Sequence, residues 1–414
     1  NPADRDNQVG VANVADQKTV DLAYENAGQA LADWQQTPVT VRASMIEKYA
    51  DYLERDILHF VAIAVLEGGK TWDDAIAELR EAVDFCRYYA VQARQMMNPP
   101  LKMPGPTGEH NELQFLGRGI FTCISPWNFP LAIFTGQVTA ALVTGNCVIA
   151  KPAEQTPLIA YEAVKRMHEA GVPEAVMQLV IGDGKIGAAL VEHKDCGGVA
   201  FTGSTEVADI IHQTLAKKEG LIVPLSAETG GQNAMIVDSS ALPEQVIDSV
   251  LASSFHSVDN IYQLDQSAPK NGFFVRPTIH EVKDISDIGG ERFGPILHIR
   301  RYNSDEIDQI IEEINSTGYG LTFGIHSRIR HFIDYVTSRI KAGNIYINRS
   351  MTGAVVGVQP FGGRGLSGTG PKAGGPHYLN RFIIEISTSD NITATGGNVA
   401  LMDLDDEADI KQRD

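Results

Sequence analysis

A glutamate followed by two glycines stands between two apolar, strand-like runs. Glu228 comes after residues 221–225, and Gly230 and Gly231 come before residues 234–237. Glycine at a tight turn lets the backbone approach a ligand closely, because it carries no side chain. A carboxylate held at such a turn is suited to take a proton from water. We therefore predict that Glu228 acts as a general base.

Polar side chains suited to chemistry also follow strand-like runs earlier in the chain. Asn128 lies in a Pro-Trp-Asn-Phe-Pro loop, where a rigidly held amide is a good donor to an oxyanion. A turn-capping asparagine explains that loop equally well. Lys151 ends an apolar run, where a lysine can bond ribose hydroxyls or neutralise phosphate. Taken alone, it is more simply a surface lysine.

Glycines mark two more loops that are typical of nucleotide binding. Gly203 and Ser204 precede a helical pattern whose free N–H groups suit a phosphate, with an ordinary N-cap as the alternative. Gly184 belongs to a G-x-G-x-x-G stretch at residues 182–187. The acidic residue that such a stretch requires about 20 positions later falls at Glu206, which instead opens a helix. A plain strand-to-helix turn therefore stays an alternative.

Glu291 and Phe293 pair a carboxylate with an aromatic ring beside a Gly-Pro turn. Such a pair can hold a ribose diol and the flat face of a ring. By itself the pair is a weak indication. The pair becomes informative through its position in the sequence, because it follows, in order, the loops that carry Asn128, Lys151, Ser204 and Glu228.

Strand-like and helical patterns alternate through the region that carries most of these loops. The predicted strands cover residues 120–124, 147–150, 176–181 and 198–201, and the predicted helices cover 131–144, 157–170, 185–193 and 205–218. Alternation with short loops is typical of a parallel, doubly wound sheet, in which ligands bind beyond the carboxyl ends of the strands. The candidate side chains are thus expected at one edge of a sheet.

The flanking regions predict covering layers. Helical patterns precede the sheet at residues 16–35, 41–67 and 73–97, and the proline-rich residues 98–118 predict a protruding hairpin or a linker. After Glu228, helices are predicted near 241–255, 304–315 and 328–341, and strands at 274–279, 343–348 and 382–386.

The composition is that of an acidic globular protein. The 414 residues carry a net charge of −18, which repels phosphates and argues against nucleic acid and anionic membranes as partners. Cysteines without close-pair spacing predict free thiols in a reducing compartment. Because no apolar signal segment is visible, we expect a cytoplasmic protein. The histidines show no pattern of metal ligands, so no metal site is predicted.

A series of motifs, in order along the chain, closely resembles the aldehyde dehydrogenase superfamily. They are Pro-Trp-Asn-Phe-Pro, Lys-Pro-Ala-Glu-Gln-Thr-Pro, Phe-Thr-Gly-Ser-Thr, Glu-x-Gly-Gly, Glu-x-Phe-Gly-Pro and Pro-Phe-Gly-Gly. Within the superfamily, residues 348–363 and 365–376 look like the L-glutamate γ-semialdehyde (Δ1-pyrroline-5-carboxylate) dehydrogenase modules of bacterial proline utilisation A proteins. The resemblance covers nearly the whole chain.

The resemblance implies an α/β fold with a Rossmann-like, doubly wound NAD-binding domain, an α/β catalytic domain and a small β oligomerisation flap. The NAD-binding domain would span 1–225, with 98–118 contributing to the flap, and the catalytic domain 226–365. Residues 366–414 would form the C-terminal segment and the rest of the flap. A homodimer is implied, and a covalently linked proline dehydrogenase module is left open.

The resemblance also implies residue roles. In the family a cysteine thiolate attacks the aldehyde, an asparagine matching Asn128 holds the oxyanion, and hydride passes to NAD. A glutamate matching Glu228 then activates the water that hydrolyses the thioester. Gly353 and Ala354 match the backbone anchor for the substrate carboxylate. The cofactor positions are matched by Ser125, Lys151, Glu154, Gly184 (near the adenine end), Gly203, Ser204, Val207, Glu291 and Phe293.

The sequence departs from the family at the nucleophile. The family places its cysteine a few tens of residues after the general base, whereas every cysteine here precedes Glu228. The span from Glu228 to Glu291 is also shorter than in the family, with a break expected near Ser257 and Val258 and residues missing near 257–270. We favour omission of these residues over a true deletion, because a deletion would remove core secondary structure.

The predicted function is NAD-dependent oxidation of L-glutamate γ-semialdehyde to L-glutamate, the second step of proline catabolism, by the intact chain. A catalytically inactive protein of the same fold, kept for NAD binding or as a scaffold, is one alternative. A dehydrogenase of another aldehyde is the second.

Overall fold

The computed structural model describes residues 1–255 and 271–391. A helical layer comes first, with α1 (Gln17–Gln36), α2 (Val39–Arg55), α3 (Ile57–Gly68) and α4 (Trp72–Met97), followed by the strands β1 (Leu101–Met103) and β2 (Glu109–Gly117). Asp16 caps α1 by accepting the N–H of Thr19 at 2.9 Å. The helix predicted over 41–67 is two helices, which separate at Asp56, where the carboxylate binds Arg55 and Arg166.

A parallel sheet follows this layer. Its strands are β3 (Ile120–Ile124), β4 (Cys147–Lys151), β5 (Met177–Leu179), β6 (Cys196–Thr202) and β7 (Leu225–Glu228), in the order β5-β4-β3-β6-β7. The connecting helices are α5 (Ala132–Val143), α6 (Pro157–Ala170), α7 (Gly184–Glu192) and α8 (Thr205–Lys217). The predicted doubly wound sheet is confirmed. Because all its strands run parallel, Lys151 and Glu228 end theirs at the same edge.

The next part of the chain builds smaller parallel sheets. Its strands are β8 (Ala234–Val237), β9 (Thr278–Glu281), β10 (Ile296–Ile299), β11 (Thr322–His326) and β12 (Asn344–Ile347), and its helices are α9 (Pro243–Phe255), α10 (Ile307–Ser316) and α11 (Arg330–Thr337). The strand orders are β12-β11-β8 and β10-β9, so within residues 1–255 and 271–391 neither β8 nor β10 has a strand on its outer side. The strand predicted from Phe274 begins only at Thr278, after Pro277, which has no N–H to donate.

The flap is a separate antiparallel sheet of order β1-β2-β13, completed by β13 (Ile383–Asn391). Gly117 pairs with Ile383 at one end of the ladder, and Glu109 pairs with Asn391 at the other. The proline-rich hairpin and the late strand of the sequence therefore come together, although the whole sheet lies between them in the chain.

In the part of the chain that the structure describes, apolar side chains form two clusters under these layers. The larger packs the first helices against the five-stranded sheet and buries Tyr24, Tyr49 and Phe121 completely or nearly so. The smaller packs α10 and α11 on β8 and β11 through residues such as Phe323 and Ile325. Burying a side chain of this size contributes about 1.5–3 kcal/mol. None of the helices in the described ranges is both long and apolar enough to cross a membrane.

Candidate active site

Glu228 is the last residue of β7 and lies opposite Thr202 of β6. Its Oε2 accepts the backbone N–H of Gly363 at 3.2 Å, while its Oε1 is shielded from solvent and has no partner in the described part of the chain. Burial raises the pKa of this carboxyl to about 8, against the opposing effects of the Gly363 N–H and the Lys372 ammonium. A buried carboxyl that titrates near neutral pH is suited to general-base catalysis.

The glycine turn behind Glu228 holds a second carboxylate. The N–H of Gly231 donates to Oε1 of Glu291 at 2.8 Å. A Cβ on Gly230 would stand 2.0 Å from Oε2 of the same carboxylate. The Glu291 carboxylate therefore lies directly against the backbone of Gly230.

The loop of Asn128 reaches the same region through its neighbour Trp127. The Trp127 ring packs edge-on against Phe293, with centroids 5.5 Å apart and planes at 78°. Since Phe293 follows closely after Glu291, this contact joins the Asn128 loop to the turn behind Glu228. Asn128 is half-buried, and its amide has no hydrogen-bond partner among the residues with described positions, so it is available to donate.

A buried ion pair, which the sequence reasoning missed, supports the other side of this loop. Oε1 of Glu78 accepts the N–H groups of Leu131 at 2.7 Å and Ala132 at 3.1 Å. Lys70 Nζ lies 2.9 Å from Oε2 of Glu78 and 4.0 Å from the ring centroid of Phe129. The available sequence signal was an acid on the buried apolar stripe of α4.

Ser125, Lys151 and Glu154 lie together beyond the carboxyl ends of β3 and β4. The Ser125 N–H donates to the Lys151 carbonyl at 3.2 Å, and its buried hydroxyl has no partner in the described chain. Nζ of Lys151 donates to the carbonyl of Pro152 at 3.0 Å. Burial lowers the pKa of Lys151, and the nearby Glu154 carboxylate opposes this effect. An orphaned hydroxyl beside a buried cation is typical of a site that a ligand completes.

Gly184 begins α7, and the N-terminus of this helix is capped from within. The side chain of Asp183 accepts the N–H of Lys185 at 2.9 Å. This part of the G-x-G-x-x-G stretch thus forms an ordinary capped turn. The helix reaches Lys151 through Gly187, where a Cβ would lie 3.3 Å from Cε of the lysine.

Gly203, Ser204 and Val207 form the turn from β6 into α8. The N–H of Gly203 donates to the carbonyl of Glu228 at 3.1 Å, which ties this turn directly to β7. Oγ of Ser204 caps α8 by accepting the Val207 N–H at 3.3 Å. The Val207 side chain is 43% exposed, so it is free to contact a ligand at this edge.

The loop of Gly353 and Ala354 is held by Arg349 and Gln359. Gly353 has a φ of +82°, a conformation that favours glycine. The side-chain amide of Gln359 is oriented so that both its nitrogen and its oxygen have hydrogen-bond partners. Its nitrogen donates to the Gly353 carbonyl at 2.8 Å, and its oxygen accepts from Nη1 of Arg349 at 2.7 Å. Nη2 of Arg349 also donates to the carbonyl of Thr352 at 3.2 Å. Two residues to which the sequence assigned no role of their own, Arg349 and Gln359, therefore shape this loop.

The sequence matches the model of the aldehyde dehydrogenase family over residues 1–261 and again over 257–387. This chain belongs to the aldehyde dehydrogenase family. The resemblance seen in the ordered motifs is thereby confirmed. The two matches overlap at residues 257–261.

Relatives and solved structures of the family are similar along most of the chain. PutA of Rhizobium meliloti is 45% identical over 413 aligned positions, which include 83% of this chain and 32% of that protein. A 1-pyrroline-5-carboxylate dehydrogenase of Geobacillus sp. (strain WCH70) is 32% identical, with 92% and 87% covered. A structure of proline utilization A is 47% identical with a TM-score of 0.89, covering 92% of this chain and 46% of that one. The 1-pyrroline-5-carboxylate dehydrogenase from Thermus with bound NAD is 30% identical with a TM-score of 0.88, covering 94% and 89%.

The lengths of these family members differ from that of this chain. The chain spans about a third of the curated PutA relatives and about half of the PutA structures that it matches. The alignment with the Geobacillus dehydrogenase runs over 452 positions, more than the 414 residues of this chain. That relative therefore contains residues without a counterpart here.

All four cysteines of this chain are buried. Burial raises the pKa of Cys147 to about 12, and it raises the pKa values of Cys86 and Cys123 even further. Thiols kept protonated in this way are poor nucleophiles. The fourth thiol, of Cys196, is buried and donates to the carbonyl of Gly198 at 3.5 Å. The sequence of residues 256–270 contains no cysteine either.

The predicted break near Ser257 and Val258, and the residues expected to be missing near 257–270, lie outside the described residues. The chain before them ends in α9, next to the loop of Gly353. The N–H of Met351 donates to Oγ of Ser253 at 3.0 Å, two residues before Phe255, the last residue of α9.

Proposed function

We propose that this chain is the aldehyde-oxidising module that converts L-glutamate γ-semialdehyde to L-glutamate with NAD, the second step of proline catabolism. The observation that carries the proposal is the match along 87% of a 1-pyrroline-5-carboxylate dehydrogenase. The 45% identity with a PutA protein supports it.

The carboxyl edge of the first sheet fits NAD. The orphaned hydroxyl of Ser125 and the buried ammonium of Lys151 are suited to ribose hydroxyls and phosphate. The exposed carboxylate of Glu154 favours the ribose hydroxyls of NAD over the 2′-phosphate of NADP. When bound, NAD supplies the oxidant by accepting a hydride from the substrate carbon. The other proposed contacts are Gly184, Gly203, Ser204, Val207, Glu291 and Phe293.

Asn128 and Glu228 are proposed to act on the reacting atoms. The free amide of Asn128 donates to the substrate oxygen as negative charge develops there, and such a donor contributes roughly 10²–10³ to kcat. Ionised Glu228 takes a proton from the water that hydrolyses the thioester.

The loop of Gly353 and Ala354 is the proposed anchor for the substrate carboxylate. Small residues let backbone N–H groups come close to an anion. Nη2 of Arg349 lies 3.7 Å from the position of a Cβ on Gly353. Within the described chain Arg349 has no carboxylate partner, so its charge remains available to favour an anionic substrate.

The thioester chemistry requires a cysteine after Glu228, where the sequence has none, so the intact protein is proposed to carry additional residues between Phe255 and Asn271. The test is the mass of the proteolytic peptide that runs from Phe255 to Asn271 in the protein from its natural source, together with NADH formation from glutamate semialdehyde. We expect a peptide heavier than the sequence from Phe255 to Asn271 predicts, and NADH. A peptide of the predicted mass with no NADH would end the proposal.

We also propose that the protein is a cytoplasmic homodimer with a linked proline dehydrogenase module. The PutA relatives support the linked module. The flap exposes Leu101, Met103, Ile384 and Ile386 by 54%, 43%, 39% and 37%, which supports a partner on this surface. The division at residues 225 and 365 into NAD-binding, catalytic and C-terminal parts stays a prediction.

A further inference from the structure

Asn344, the first residue of β12, holds the glycine loop that faces Glu228. Its Nδ2 donates to the carbonyl of Pro360 at 2.9 Å, and its Oδ1 accepts the N–H of Gly362 at 3.3 Å. One amide therefore bridges the loop from its proline to its first glycine. The next residue, Gly363, supplies the N–H that binds Oε2 of Glu228.

The ammonium of Lys372 also binds the side chain of Asn344. Nζ of Lys372 donates to Oδ1 of Asn344 at 2.7 Å and also to the carbonyl of Gly343. The lysine is half-buried and, with Asn344, lines a cavity of about 530 Å³. On its other side the loop lies close to Glu228, because a Cβ on Gly362 would stand 2.8 Å from Oε1 of the carboxylate.

We propose that Asn344 and Lys372 are positioning residues for Glu228. Asn344 sets the loop so that the Gly363 N–H meets the carboxylate, and Lys372 places a positive charge behind the loop. The inference rests on the proposed role of Glu228 as the general base.

The charge of Lys372 makes ionisation of the buried carboxylate less costly. An opposite charge nearby favours the ionised form of a carboxyl, whereas burial favours the neutral form. Among the described residues, the titratable groups that act electrostatically with Glu228 are Lys372 and Tyr378. Burial raises the pKa of Tyr378 far above its usual value, so its phenol stays neutral. Lys372 is thus the charged group that tunes this base.

The test is a pH titration of Glu228 in this chain, without aldehyde or NAD. The side-chain carboxyls of glutamate are labelled with carbon-13 for NMR, and the Glu228 signal is assigned as the one missing in Glu228→Gln. We expect a wild-type midpoint near 8. Lys372→Met raises the midpoint by about one pH unit or more, whereas Lys372→Arg, which keeps the charge, leaves it within a few tenths.

Two further variants make the result decisive. Asn344→Ser releases the loop but keeps Lys372. The midpoint of Glu228 should rise in this variant, because the Gly363 N–H is no longer held in place. If Lys372→Met does not fold, the result for Asn344→Ser tests the inference in its place. Lys341→Met removes an exposed charge of the same sign and leaves the midpoint unchanged. The inference is overturned if Lys372→Met titrates like wild type, or if Lys341→Met shifts the midpoint equally.

The proposed function is tested separately. If the Lys372 and Asn344 variants shift the Glu228 midpoint as expected but the intact protein has no dehydrogenase activity, only the proposed function is overturned. Activity together with an unshifted midpoint would overturn only the positioning roles of Asn344 and Lys372.

Discussion

Glu291 and Gly231 are joined by a 2.8 Å hydrogen bond between a carboxylate oxygen and a backbone N–H. Glu291 is a proposed cofactor contact, and Gly231 belongs to the turn behind the proposed base. The two functions therefore share one structural unit, so a change on the turn is expected to disturb cofactor binding.

Gly230→Ala tests this coupling. The new Cβ would stand 2.0 Å from Oε2 of Glu291 and displace the carboxylate. We expect NADH binding, measured by fluorescence titration, to weaken at least about tenfold, or ~1.4 kcal/mol. Gly290→Ala is the matched control, because a Cβ there meets no atom within 4 Å. Equal affinities for both variants would contradict the coupling.

Glu228 is expected to make stability depend on pH. Its pKa is raised from 4.5 to about 8 on folding, so between these values the folded protein keeps a proton that the unfolded chain has lost. This contribution is complete below about pH 4.5 and declines as pH rises towards 8, by at most about 1.4 kcal/mol per pH unit. Glu228→Gln lacks this dependence. Urea unfolding of the wild type and Glu228→Gln from pH 5 to pH 8 checks this expectation. It would be refuted if the free energy of unfolding changed with pH in the same way for both proteins.

The Glu78–Lys70 pair is expected to be important for stability. Glu78→Ala leaves a buried ammonium and two N–H groups of α5 without their acceptor, which costs about 3 kcal/mol. Glu78→Gln keeps an acceptor for the N–H groups and should cost less. Chemical denaturation measures both, and Glu25→Ala on exposed α1 surface should stay within about 0.5 kcal/mol. A loss no larger than that of Glu25→Ala would contradict the structure.

The thiols of the native chain are expected to be unreactive. All four are buried, so a thiol reagent such as Ellman's should label essentially none of them until the protein is unfolded, when all four react. An intact protein with an additional catalytic cysteine should show one fast native thiol. Rapid labelling of any of the four in this chain would show that their burial is wrong.

Gly353→Glu tests the carboxylate anchor in the intact protein. The added negative charge should lower kcat/KM for the semialdehyde by at least about tenfold and leave short neutral aldehydes unaffected. Because Gly353 has a φ of +82°, Gly353→Ala is needed as the control for backbone strain without charge. An equal loss on both aldehydes would argue against an anchor at this position.

Local patterns in the sequence predicted most of the elements. The alternation of strands and helices between residues 120 and 218 is confirmed. There β3 and β4 are buried on both faces, and α7 and α8 begin at side-chain caps, so each of these elements carries its own local signal. The helix over 41–67 was predicted as continuous because its apolar spacing persists through the break at Asp56. Local spacing does not report the carboxylate pairs that Asp56 forms with Arg55 and the distant Arg166.

The sequence by itself determined the family and proposed Glu228 as the base, because ordered motifs and a carboxylate before a Gly-Gly pair are local features. Only the tertiary structure decided what surrounds that carboxylate. Gly363, its hydrogen-bond donor, is 135 residues away in the chain. The pKa of a carboxyl depends on burial and on charges in space. The effects of Gly363 and Lys372 on Glu228 therefore exist only once the strands have packed.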